Sequence, residues 1–64
     1  MKLELLMIKA IRELKKVSAK AEIRNIYVAE GSGSYNNWKD ATFCIEYVEE
    51  NGGEYKSTYI NVKE

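Results

Sequence analysis

The chain reads as a small α+β domain, an N-terminal helix packed on a three-stranded antiparallel sheet in order 1-2-3. Three observations carry that reading. Residues 1–20 hold six basic side chains against two acidic ones, whereas residues 21–64 hold four basic against eight acidic, so a net charge of zero conceals two halves of opposite sign. The hydrophobic period changes near the same boundary, from helical to alternating. Asn51-Gly52, set between two β-rich runs, is the strongest short hairpin motif a sequence can carry.

The helix is expected over residues 2–19. At 100° per residue Leu3, Leu6, Met7, Ala10, Ile11, Leu14, Val17 and Ala21 share one stripe. Glu4 in the first turn and Lys15, Lys16 and Lys20 near the end have the signs that the helix dipole favours. Residues 22–30 are rich in β-branched and aromatic types and read as a first strand. Residues 31–40 contain two glycines and no periodicity, which predicts a mobile connecting loop.

Residues 41–49 and 54–63 read as the second and third strands. A two-residue Asn51-Gly52 loop fixes their register: Phe43 opposite Ile60, Ile45 opposite Thr58 and Tyr47 opposite Lys56 on the core face, with Ala41 and Val62. Cys44 then faces Tyr59, Glu46 faces Ser57 and Val48 faces Tyr55 on the other side. A bulge at Gly53 would instead slip the pairing by one residue and exchange the faces.

Composition excludes several chemistries. With one cysteine, Cys44, and no histidine, the monomer has neither the four ligands of a structural zinc site nor a Ser–His or Cys–His nucleophile pair. No metal, cofactor or catalytic residue is expected, and Cys44 reads as a half-buried sheet residue. Gly31-Ser32-Gly33-Ser34 lacks the third glycine of a dinucleotide-binding fingerprint and the Gly-Lys-Ser/Thr of a P-loop. The absence of a disulfide pair predicts a reducing, cytoplasmic compartment, and Glu4, Lys9 and Arg12 interrupt the apolar N-terminus, so no membrane span is expected. A chain of 64 residues buries only about 60% of its unfolded surface, so stability is marginal and association would help it.

Two binding surfaces follow. One helix covers one face of a sheet, which leaves the other open with Val48, Tyr55, Tyr59 and Tyr27; Tyr35 and Trp38 from the loop would add to it. For Trp38, folding back to cap the core is the expected structural role. The second surface is the outer helix face, where Leu5 and Ile8 form an apolar patch beside the cationic row Arg12, Lys16 and Lys20. The leading functional expectation is a non-catalytic protein-interaction module or small inhibitor. A phage or mobile-element accessory protein that occupies the surface of a host defence protein fits this size and composition. A homodimer through the open sheet face or the Leu5/Ile8 patch is also expected. The alternative is a nucleic-acid-binding protein using the basic helix and Arg24, which the acidic strands disfavour.

Overall fold

A computed structural model describes residues 1–34, 36–50 and 53–64. One helix, α1 (Leu3–Val17), is followed by three strands, β1 (Glu22–Ser34), β2 (Asn37–Val48) and β3 (Tyr55–Lys63). They form one antiparallel sheet in order β1-β2-β3.

Helix α1 begins without a side-chain cap. Lys2 is extended, and its carbonyl accepts from the amides of Leu5 and Leu6. At the other end Ser18 leaves helical geometry while its N–H still donates to the Leu14 carbonyl, closing the last turn. Leu6, Ala10 and Leu14 are buried, as the stripe predicts. Val17 is not: the helix ends there and the residue is 83% exposed. The stripe places it in the core, but Val17 is the last residue of α1, and Ala21, the next residue on the stripe, is buried from beyond the helix end.

The core joins Leu6, Ala10, Leu14 and Ala21 to Ala41, Phe43, Ile45, Tyr47 and Val62 on the covered sheet face. The β2–β3 register is the one that an Asn51-Gly52 loop requires, with Phe43 opposite Ile60, Ile45 opposite Thr58 and Tyr47 opposite Lys56. The two turn residues themselves lie outside the described residues.

The expected loop over residues 31–40 is instead a long hairpin. β1 continues to Ser34 and β2 begins at Asn37, with Gly31 opposite Ala41 and Gly33 opposite Trp38. The glycines serve close strand approach rather than flexibility. A Cβ on Gly31 would lie 2.8 Å from the Asp40 carbonyl and 3.0 Å from the Trp38 ring, so the missing side chain gives the indole its place. Gly33 has φ +137°, a backbone conformation that other residues rarely adopt.

Three irregularities distinguish β1–β2 from its regular neighbour, at Arg24, at Ala29 and at Lys39. In an unbroken strand Ile23 and Ile26, three apart, would lie on opposite faces. The extra residue Arg24 lets Ile23 pair with Tyr47 and Ile26 with Ile45, so both reach the core face along with Val28. Likewise, the shift at Lys39 turns Trp38 to the same side, where it packs against the core. Trp38 also exchanges backbone hydrogen bonds with Met1, donating to its carbonyl at 2.8 Å and accepting from its amine at 3.1 Å. The Met1 amine meets the Glu64 carboxylate at 3.0 Å, and that contact lowers the pKa of Glu64.

Candidate protein-binding face

The sheet face opposite α1 presents a series of cross-strand rows, three of which carry the tyrosines and Glu46. Tyr27, Cys44 and Tyr59 form one, Asn25, Glu46 and Ser57 the next, and Glu22, Val48 and Tyr55 the third. No element covers this side among the described residues. Tyr27, Tyr55 and Tyr59 are 46%, 60% and 67% exposed, yet Cys44 and Val48 between them are 3% and 6% exposed. On the middle strand, two short apolar residues are therefore shielded by larger neighbours, and the tyrosine rings form the outer surface.

Polar groups hold the rings in place. The Glu46 carboxylate accepts from Asn25 Nδ2 at 3.1 Å and from the Tyr55 hydroxyl at 3.4 Å. Loss of water around the hydroxyl, followed by the Glu46 charge and this hydrogen bond, raises the pKa of Tyr55. Beside it, hydrogen bonding to Cys44, followed by electrostatic interaction with the same residue and loss of water, pushes Tyr27 up to about 12. Both phenols are thus neutral donors at physiological pH. Arg24, the bulged residue, pairs with Glu22 at 3.4 Å, while Asn61 Nδ2 donates to Thr42 Oγ1 at 2.8 Å further along the face.

The expected site residues divide accordingly. Tyr27, Tyr55 and Tyr59 come together on the open face. Val48 lies on that face but beneath its surface, so it supports the rings and offers little area for contact. Trp38 is on the opposite side, half-buried against the core, which is the capping role. Tyr35 lies outside the described residues. Cys44 is buried more completely than the half-buried position expected of it.

On α1, Leu5 and Ile8 are 49% and 44% exposed, and Arg12 and Lys16 are exposed as the helical period requires; Lys20, expected on the same row, lies beyond the end of α1 in the following turn and is also exposed. The cationic row is partly offset by the helix itself, since Lys16 pairs with Glu13 at 2.9 Å. Sequence reading did not identify Glu46 as the group that anchors the tyrosine face. Its alternation with Cys44 and Val48 placed it on that face, but cross-strand distance to Asn25 depends on the Arg24 bulge. Among the described residues no cluster of His, Cys, Asp or Glu side chains is arranged to hold a metal ion, and no helix is long and apolar enough to cross a membrane. No family model, curated protein or solved structure matches the chain.

Proposed function

We propose that this chain is a non-catalytic protein-interaction module that acts by occupying a partner surface with its open sheet face. The observation that carries this reading is the trio Tyr27, Tyr55 and Tyr59, exposed on a sheet face that no element covers among the described residues. Tyrosine gives large, rigid contact area at small entropic cost, and its hydroxyl serves whichever donor or acceptor the partner offers. Glu46, with Glu22 and Glu30 on the neighbouring strand, makes the field around the rings unfavourable for phosphates. A protein surface suits it better than a nucleic acid. Inhibition of a larger protein by steric occupation, the role expected of a mobile-element accessory protein, requires no chemistry beyond such a face.

The experiment is affinity capture from source lysate with the wild-type chain and with Tyr55→Ala/Tyr59→Ala, identified by mass spectrometry. It is paired with a salt series on a generic oligonucleotide. A protein recovered by the wild type and lost by the variant supports the proposal. Steeply salt-dependent oligonucleotide binding that Arg12→Glu/Lys16→Glu abolishes would replace it with the nucleic-acid reading.

A further inference from the structure

A second surface lies on the covered side, where the edge of β3 meets α1. We propose that this groove binds an acidic peptide segment in extended conformation, which adds to β3 as a fourth strand. The two edges of the sheet differ in a way that singles out β3. β1 is broken by bulges at Arg24 and Ala29, a common device that blunts an edge against pairing. β3 pairs with β2 without interruption from Lys63 opposite Asp40 to Tyr55 opposite Val48, and as the last strand in the order it has no neighbour on its other side. It also contains no proline.

Beside that edge is a groove of about 800 Å³ whose floor includes Ile60 and whose walls include Lys9, Arg12, Lys16, Val17 and Lys63. Lys16 is committed to Glu13, and the Lys9 ammonium donates to the Lys63 carbonyl at 2.9 Å. That carbonyl carries no charge, so Lys9 keeps its positive field. Arg12 has no carboxylate within 4 Å among the described residues. The exposed Val17, unexplained by the core, supplies an apolar wall at one end.

The charges choose the occupant. Antiparallel pairing of two β3 edges about a two-fold axis would set both helices on one side of the joint sheet, with their cationic rows facing across a single seam. Like charges oppose that arrangement, whereas an acidic strand would be drawn to it. Backbone hydrogen bonds along β3 would supply affinity, and alternate acidic side chains would meet Arg12 and Lys9 on the helix side.

The test uses a fluorescein-labelled peptide of nine residues, the length of β3, with Glu and Val alternating, and reads anisotropy. Binding is expected, with about ten-fold weakening in Arg12→Glu and a smaller loss in Arg12→Gln. Arg12→Gln decides the matter if the reversal perturbs folding. The same peptide N-methylated at alternate amides should not bind, because it cannot complete the edge hydrogen bonds. Tyr27→Ala, on the far strand β1 and outside the groove lining, should leave the affinity unchanged. Absence of binding at about 1 mM peptide, a strength below any specific recognition, would overturn the proposal. Equal binding of the N-methylated peptide, or tighter binding of an oligothymidine, would overturn it in favour of simple polyanion attraction.

Discussion

Tyr47 and Tyr59 sit on adjacent strands of the same sheet, yet Tyr47 is 8% exposed beneath the helix and Tyr59 is 67% exposed on the other side. The same residue type serves two purposes, decided by strand parity. On the covered face the side chains of Phe43, Ile45 and Tyr47 are interlocked with Leu6, Ala10 and Leu14, so their removal leaves a cavity. On the open face the tyrosines lie over Cys44 and Val48 with water on their outer side, so their removal leaves solvated surface. In so small a domain, stability is concentrated on one face of the sheet, and the other is available for recognition.

The largest effect is expected on the covered side. Phe43, fully buried at the centre of the core, should cost about 3–5 kcal/mol when changed to Ala. That is a large part of the stability available to a domain of this size. Urea denaturation followed by circular dichroism reads the loss directly, and a smaller value would mean that the core closes around the gap.

The next effect comes from the hairpin that carries Trp38 to the core. Gly33→Val would place a Cβ 2.5 Å from the Asn37 carbonyl oxygen, at a φ of +137°. Strain of about 1–3 kcal/mol is expected, or a fall of roughly 4–8 °C in thermal midpoint for each kcal/mol. An unchanged midpoint would mean that the hairpin end frays without consequence for the indole.

A smaller effect sharpens the open face. Tyr27 should titrate near 12, and Cys44→Ala should return it toward 10, followed by tyrosinate absorbance. Because the folded-state value is raised, its contribution to stability is complete below pH 10 and is lost as pH rises from 10 to about 12. A Tyr27 that titrates at its ordinary value in the wild type would show that Cys44 does not engage it.

The same contrast explains what was legible in the sequence. The β2–β3 hairpin followed from local rules up to one choice, since the sequence allowed either an Asn51-Gly52 loop or a bulge at Gly53; the observed register is that of the Asn51-Gly52 loop and puts Phe43, Ile45 and Tyr47 under the helix. The open placement of Tyr55 and Tyr59 came with it. β1–β2 did not follow, because its faces are set by bulges at Arg24, Ala29 and Lys39. A bulge depends on what the partner strand needs, and nothing in the local composition announces it. The segment from Gly31 to Asp40 therefore looked like a loop, although its glycines are the residues that let β1 and β2 pass close under Trp38. Val17 shows the other limit. Periodicity places a residue on a helix face but does not say where the helix ends.

A division of labour between the two faces requires the open tyrosine face to be dispensable for folding. The free energy of unfolding of Tyr27→Ala/Tyr59→Ala, measured in urea beside Phe43→Ala, tests that directly. Tyr59 is largely exposed and Tyr27 about half exposed, so the double variant should lose only about 1–2 kcal/mol, mainly from the half-buried Tyr27 and from uncovering Cys44. A loss matching that of Phe43→Ala would contradict the division between the two faces and make the tyrosines part of the core.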